Sequence, residues 1–524
     1  MKITDIRWIC IQWVSLTVML LLVRSGFAFG DKTAANAPDI LIIMPDQMRG
    51  DGLSAVDHPV VRTPNMDELA EAGTLFRRAY ATVPSCIPAR HAMLTGLYPH
   101  TSGVVGSAGT LVTRATMPQI FRDAGYLTAL IGRTMHQRNP DEELGYEKVI
   151  QGSVFPGRHD DYFNFLMDNL SPETSLGQVL HEDGLRNMVE AIGVTYNHWQ
   201  AEPWPLDEQW HPTSWIARES QQLVNEVSPG QPLLLTASFY APHPPLFPTG
   251  RYFDAFLDMD LPDIALGDWV DLDVLSPAAY PPPQGSHGGS RVRLEGEQLR
   301  RAQAGYFGLI EQLDDAIAPL IAAFKKRSNQ AGRPWVILIT SDHGEMLGDH
   351  GYFRKCEPYE GSANIPFIIA ASEDSGFQRG ARSYQPVGLE DIMPTLADMA
   401  GITTPEVDGV SLVPLLRGRE QEVRPWLHLE HSPAYSDGQA FQSLTDGRFK
   451  YIWRPLDGSE QLFDLENDPL EERNLAADPH HASLVELWRN RLIQRLAPRP
   501  EGFSDGERLV PGQPYEPIQP GKNP

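Results

Sequence analysis

Three groups of residues have the types and spacing to do chemistry. Asp46 and Gln47 follow one continuous apolar run, and Asp342 and His343 follow another. Two carboxylates, an amide oxygen and an imidazole suit one divalent cation that prefers hard ligands, such as Ca2+. Taken alone, each pair reads more readily as a helix cap than as a ligand pair; two such doublets at matching strand ends favour the cation. Cys86 lies in Pro84-Ser85-Cys86-Ile87-Pro88-Ala89-Arg90. A lone cysteine is usually a small buried apolar group. If a helix begins near Cys86, its N-terminus favours an anion, and Arg90 lies one turn on along the same face. That makes an oxyanion cradle beside a nucleophile, and on residue type alone a thiolate enzyme. The third group is Arg133 and His136, then His243 in Ala241-Pro242-His243-Pro244.

The elements that must position these groups are legible. Asp39–Met44, Tyr126–Ile131, Pro232–Tyr240 and Trp335–Thr340 are short apolar runs rich in β-branched residues. That is the pattern of strands buried on both faces. Helical patterns lie between them: Thr63-Pro64 opens one that Gly73 closes, Gln298–Phe324 is a long one interrupted by Pro319, and Glu390–Ala400 ends at Gly401. Alternating strands and helices imply an α/β domain with a mostly parallel sheet flanked by helices. Such folds bind ligands beyond the carboxyl ends of their strands, and Asp46, Arg133, His136, His243, Asp342 and His343 all fall there. From about Gly409, the runs Trp426–Glu430, Ala440–Thr445, Lys450–Trp453 and Gln461–Asp464 are separated by turn residues, and Ser483–Leu496 reads as a helix. The expected division is a leader over 1–30, a catalytic α/β domain over 31–408, a smaller C-terminal antiparallel-sheet subdomain over 409–497 and a surface tail over 498–524. Asp254–Gly289, rich in Asp, Pro and Gly, reads as an irregular insertion.

Bulk properties narrow the function. A chain of 524 residues, 41% hydrophobic, can bury one large core and an appendage. A formal net charge of -25 argues against nucleic acid as a partner. A small anionic substrate still fits, because a cation and a few basic side chains dominate locally. Cys10, Cys86 and Cys356 are too few for a disulfide framework, and no Cys86–Cys356 bridge is expected. Residues 1–30 read as a signal peptide: Lys2 and Arg7, an apolar run Trp13–Val23, then Ala28-Phe29-Gly30. A membrane anchor is the alternative, but the run is short of the ~20 residues a span needs. The expectation is a secreted or periplasmic protein with no membrane span in the mature chain. Nothing in the sequence sets an oligomeric state.

Cys86-Ile87-Pro88-Ala89-Arg90 resembles the signature Cys-x-Pro-Ser/Ala-Arg of the formylglycine-dependent sulfatases, the type I sulfatases of the alkaline phosphatase superfamily. The likeness runs along nearly the whole mature chain: Thr63–Ala70, Leu94-Thr95-Gly96, Gly125–Ala129, Ser341–Glu345, Leu347–Gly351, Tyr359-Glu360-Gly361 and Pro394-Thr395-Leu396 before Gly401. Each is weak alone; their shared order is specific. The resemblance implies an alkaline-phosphatase-like fold and a role for each matching position. Asp46, Gln47, Asp342 and His343 would hold the metal, joined by a formylglycine made from Cys86. Arg90 would stabilise the formylglycine hydrate. His243 and Lys355 would contact the sulfate, Lys355 as a compact charge and His243 as proton donor to the leaving oxygen. Other readings are a loop histidine held by prolines for His243 and a solvated surface lysine for Lys355. His350 reads as an orienting group, and His480-His481 as surface. Gly132-Arg133-Thr134-Met135-His136 resembles the spacing of iduronate-2-sulfatase-like members, with Arg where Lys is usual.

Two further departures matter. Gln47 stands where the family often has a second aspartate, as in the branch with phosphonate monoester hydrolases, and Ala89 replaces the commoner serine. The implied reaction is cleavage of a sulfate ester, of a small molecule or glycan, by one hydroxyl of the aldehyde hydrate. The other hydroxyl then expels sulfate. The implied partner is a formylglycine-generating or anaerobic sulfatase-maturating enzyme. The rivals are a phosphonate or phosphate-diester hydrolase on the same scaffold, and a silent protein that only binds sulfated glycans.

Overall fold

The computed structural model describes residues 37–109, 111–136, 143–152, 160–271, 273, 275 and 290–519. The leader expected over 1–30 lies outside them, as does most of the insertion beyond 275.

Among the described residues, fourteen strands form three sheets: β1 Asp39–Asp46, β2 Gly73–Phe76, β3 Ala79–Tyr80, β4 Leu127–Gly132, β5 Lys148–Gln151, β6 Leu233–Pro242, β7 Trp335–Thr340, β8 Phe367–Ala371, β9 Ala381–Ser383, β10 Val387–Gly388, β11 Leu427–His431, β12 Phe441–Thr445, β13 Phe449–Trp453 and β14 Glu460–Asp464. The large sheet has the order β5-β4-β6-β1-β7-β8-β2-β9. β8 alone runs against its neighbours; the other contacts in the sheet are parallel. β1 lies at the centre, with Ile42 opposite Thr236 of β6 and Leu338 of β7.

The apolar runs are continuous because the sheet is covered on both sides. Leu41 and Ile43 point into one core with Leu235, Ala237, Ile337 and Ile339. Ile40, Ile42 and Met44 point into the other with Leu234, Val336 and Leu338. Successive side chains of a strand face opposite ways, so a strand covered twice must be apolar at every position. Each fully buried aliphatic side chain contributes roughly 1.5–3 kcal/mol of transfer free energy. Trp215, Ile216 and Leu223 of helix Pro212–Glu226 and Ile310, Leu313 and Ile317 of helix Gly296–Gln330 cover the first face. Helices Cys86–Thr95 and Ile392–Ala400 cover the second. The long helix continues past Pro319, which lies on its exposed side. The carbonyl of Asp315, which proline leaves unbonded, belongs to an exposed residue and is open to solvent.

β11, β12, β13 and β14 form a separate antiparallel sheet. Helix Ala482–Leu496 packs Trp488, Leu492 and Leu496 against Leu444, Tyr451, Trp453 and Leu462. The segment after 497 does more than lie on the surface: Phe503 and Tyr515 enter that same core. The small sheet docks on the large domain beside Cys86. Glu430 N donates to Thr82 O at 2.9 Å, and His431 Nε2 accepts from Ser85 Oγ at 2.8 Å. Cys86 and Cys356 are both free and buried. No helix among the described residues is long and apolar enough to cross a membrane.

Candidate active site

Each functional side chain sits where a strand stops. β1 ends because its register against β6 shifts between Pro45 and Asp46, and Gln47 turns into left-handed backbone at φ 67°. After β7, Ser341 Oγ donates to His343 O at 2.9 Å and accepts from Met48 N at 2.9 Å, which ties the two strand ends together. Gly344 is required there: a Cβ would lie 2.1 Å from Gly361 O. β4 ends at Gly132, at φ 100° and with no room for a Cβ beside Ser238 O, and Arg133 N donates to that oxygen at 2.7 Å. Residues held at positive φ gather here: Gln47, His136, Leu347, Arg354 and Cys356. Non-glycine residues in that region carry strain that the surroundings must hold.

Cys86 opens its helix, with Ser85 at the N-cap. Its Sγ lies 3.1 Å from His343 Nε2, 3.0 Å from Lys355 Nζ and 4.0 Å from Asp46 Oδ1. Burial alone would raise the thiol's pKa. Lys355, His343 and hydrogen bonds from His136 and His243 outweigh it and hold the thiol well below its ordinary value. Lys355 Nζ also donates to Gln47 Oε1 at 2.7 Å. Lys355 is therefore no surface lysine; it is 6% exposed.

Arg90 is fully buried and spends its donors on the aspartates. Its Nε donates to Asp342 Oδ2 at 2.9 Å, and Nη2 to Asp46 Oδ2 at 2.8 Å. Nη1 reaches Ser238 Oγ and Thr134 O. Arg90 thus acts on the site through the two carboxylates it clamps, and it turns their Oδ1 atoms to a common centre. Arg133 Nε lies 2.5 Å from Asp46 Oδ2, and its guanidinium stands 4.6 Å over the Tyr240 ring. Burial would raise Asp342, yet His343 and Arg90 bring it down to about 2. Burial would lower His343, yet Asp342 raises it. His343 Nδ1 donates to Gly344 O at 2.9 Å, so Nε2 faces the centre as an acceptor. His243 Nδ1 likewise donates to Pro244 O, and burial with Lys355 lowers its pKa to about 3.

All ten residues singled out by sequence meet in this cluster. Glu345 was visible only as part of a motif. It accepts from Gln47 Nε2, from Leu347 N at 2.8 Å and from Arg354 N at 2.5 Å. It therefore fixes the amide so that the oxygen, not the nitrogen, faces the centre. Tyr240 and Ser238, on β6, were read only as strand residues. His350 stands apart: its Nδ1 accepts from Gly267 N and its ring packs on Trp269 and Tyr359. His480 is exposed.

Residues 38–402 match the sulfatase family model, and residues 348–497 match the C-terminal region of N-sulphoglucosamine sulphohydrolase. The chain belongs to the sulfatase family. An arylsulfatase of Clostridium perfringens is 34% identical over 501 residues, 92% of this chain and 99% of the relative. The choline-sulfatase of Rhizobium meliloti is 31% identical over 461 residues, 84% of this chain and 83% of its own. The solved phosphonate monoester hydrolase of Agrobacterium radiobacter superposes with a TM-score of 0.68 at 25% identity, over 88% of this chain and 96% of that one. The fold is that of the alkaline phosphatase superfamily, and this sulfatase is a sulfuric ester hydrolase. The likeness to iduronate-2-sulfatase rests on the Gly132–His136 spacing alone.

The sulfatase's residues fit a divalent cation. Asp46, Cys86, Asp342 and His343 offer ligand atoms all within 4.8 Å of one another. His343 Nε2 lies 3.7 Å from Asp342 Oδ1 and 3.9 Å from Asp46 Oδ1. Oxygen ligands at ~2.4 Å and near right angles would lie roughly 3.4 Å apart. The clamped Oδ2 atoms and the oriented Gln47 amide leave the remaining oxygens facing inward, as a hard cation needs.

Proposed function

We propose that the chain is an exported enzyme that hydrolyses sulfate esters of carbohydrates, with residue 86 converted to formylglycine and one Ca2+ held by Asp46, Gln47, Asp342, His343 and residue 86. The observation that carries this is the position of Cys86 Sγ, at a helix start, among His343 Nε2, Lys355 Nζ and Asp46 Oδ1. When present, the formylglycine supplies a geminal diol as nucleophile, and the cation lowers its pKa and polarises the sulfate.

The chain's own residues do the rest. Lys355 and Arg133 are cationic and buried, Lys355 beside Cys86 and Arg133 beside Asp46, and both can offset charge on the sulfuryl oxygens. Asp46 and Arg90 hold that geometry rigid. His243 presents Nε2 to residue 86. Lys355 depresses its basicity, and a bound sulfate anion would reverse part of that and let it carry a proton to the leaving oxygen. The sequence of the leader supports export, and a maturating enzyme is the implied partner. Mass spectrometry of the Cys86 peptide from active protein tests the reading: a mass lower than the thiol form, matching an aldehyde, is expected, and an unmodified thiol in active enzyme overturns it.

Gln47 favours a second reading. Sulfate esters, phosphonate monoesters and phosphate diesters are all monoanions, so a site one carboxylate poorer accommodates each. The relation to a phosphonate monoester hydrolase adds support. Comparing kcat/KM on 4-nitrophenyl sulfate and 4-nitrophenyl phenylphosphonate decides between them.

A further inference from the structure

The side chain just before Cys86 is held from outside its own helix. Ser85 stands at the N-cap of helix Cys86–Thr95, yet its hydroxyl makes no capping hydrogen bond. A serine at that position ordinarily accepts from the first turn. Here the hydroxyl is buried and bonds elsewhere. It accepts from Ser107 Oγ at 3.0 Å and donates to His431 Nε2 at 2.8 Å. The histidine sets that direction. Its Nδ1 donates to Ser432 O, and burial lowers the ring's pKa to about 4, so Nε2 is left as an acceptor.

His431 ends β11, and the end of β11 is fastened both before and after the helix that Cys86 opens. Glu430 N donates to Thr82 O at 2.9 Å, and Ser432 N donates to Val105 O at 2.8 Å. A Cβ at Gly106 would fall 1.9 Å from Ser432 Oγ, so glycine is required for this close approach. The C-terminal segment ties the same stretch: Val105 N donates to Pro517 O at 3.0 Å, and Gln519 N to Gly103 O at 2.9 Å. The catalytic domain adds Cys356 N to Pro84 O at 2.9 Å. Residues 82, 84 and 85 are therefore each bonded before the chain reaches Cys86, and two of these ties come from the small sheet.

We infer that His431 is a positioning residue for the nucleophile at position 86, acting through the Ser85 hydroxyl, and that the small antiparallel sheet is thereby a working part of the reaction centre. This rests on the reading of residue 86 as the nucleophile given above. By taking the Ser85 proton, His431 draws that hydroxyl away from the first turn. No serine oxygen then competes with the nucleophile for the positive end of the helix. The same bond fixes the residue from which the nucleophile hangs, and a displacement of about 1 Å at an attacking atom costs about 10²-fold in rate. Packing alone would be served at least as well by an apolar side chain at this buried position, which has no polar atoms to desolvate.

The test compares mature wild type with His431→Ala, His431→Gln, Ser85→Ala and the His431→Ala/Ser85→Ala double variant, all full length, on 4-nitrophenyl sulfate. Rates are taken per aldehyde, counted by mass spectrometry of the residue-86 peptide, so that altered maturation beside Ser85 does not pass for altered catalysis. His431→Ala and Ser85→Ala should each lower kcat by ~10–100-fold with KM within ~3-fold of wild type. The double variant should lose no more than the larger single loss, because both changes remove one hydrogen bond. His431→Gln keeps an amide oxygen that can accept the Ser85 proton, and should regain roughly half of the lost kcat on a logarithmic scale. A role confined to stability would lower the melting temperature of His431→Ala and leave kcat per aldehyde unchanged. That result, losses that multiply in the double variant, or His431→Gln no better than His431→Ala would each overturn the positioning. If His431→Ala does not fold, full kcat in Ser85→Ala overturns it equally. A Cys86→Ala variant that turns over within ~10-fold of wild type would sink the nucleophile reading itself; with that variant inactive, the other outcomes judge His431 alone.

Discussion

Two clusters among the described residues gather histidine and carboxylate closely enough to hold a metal ion: the centre around Asp46, Cys86, Asp342 and His343, and a second one of His100, His428 and Glu430. Arginines separate them. At the first, Arg90 takes the outer oxygen of each aspartate and leaves the inner ones aimed at a shared point. At the second, the arginines take the ligand atoms themselves. Arg499 donates to both oxygens of Glu430, at 3.1 and 2.8 Å. Arg495 donates to His100 Nε2 at 2.9 Å and to His428 Nδ1 at 3.4 Å. His428 Nε2 then donates to Gln442 Oε1 at 2.8 Å. Ligand spacing alone does not make a cation site; the place where the counter-charge sits decides it.

The largest break is at the nucleophile. Cys86→Ala should lower kcat by about 10³-fold or more, since the side chains around it do not replace a covalent nucleophile. Calorimetric titration should still show one cation on Asp46, Gln47, Asp342 and His343. Turnover within tenfold of wild type would remove Cys86 from the mechanism. Next is Arg90→Gln, which takes from two buried carboxylates the guanidinium they share and leaves Asp46 to Arg133 and Asp342 to His343. A loss of about 3–5 kcal/mol in unfolding free energy is expected, measured by denaturant titration. Added Ca2+ should return part of it, because the cation replaces the missing charge. A smaller effect is expected from Glu345→Gln. The new side chain must keep its oxygen toward Leu347 N and Arg354 N, so its NH2 meets Gln47. The Gln47 amide then flips and offers a nitrogen to the cation. Affinity for Ca2+ should fall by ~10–100-fold with the fold intact; unchanged affinity would show that Gln47 is no ligand.

How much of this was legible follows from which forces act locally. β1, β4, β6 and β7 could be read because strands covered on both faces are apolar without interruption, and the polar residues that end them are then conspicuous. β8, Phe367–Ala371, has the same continuous apolar pattern and could have been read with them. β2 and β9 are short and lie toward one edge of the sheet, and their composition does not announce them. That Asp46, Asp342, Lys355 and their neighbours meet at one centre was legible through motif order. The contacts of Glu345 and Tyr196 were not, because they are made with residues far along the chain, Gln47 for Glu345 and His243 for Tyr196. The packing of Phe503 and Tyr515 was hidden for the same reason: a Pro- and Gly-rich segment shows no periodicity, and its two aromatic anchors count only once the sheet exists.

The mildest prediction concerns the second cluster, through His428→Asn. Burial comes first among the causes that hold His428 well below its ordinary pKa; Arg495, His100 and Arg499 add to it, and Glu430 opposes them. Folded His428 is therefore neutral where the unfolded chain, with a pKa near 6.5, takes up a proton. The sign follows: the unfolded state binds more protons below pH 6.5, so stability contributed here is present above that pH and lost as pH falls. Removing the imidazole should flatten the decline of stability below pH 6.5 by one proton, ~1.4 kcal/mol per pH unit. His211 and His91, lowered to about 3 and 4 by burial, keep the rest of the slope in both proteins. Ca2+ stoichiometry should stay at one with affinity within twofold of wild type. A second cation bound by wild type and lost in His428→Asn would mean that the arginines yield to a metal, and the contrast between the clusters would then be one of affinity rather than of kind.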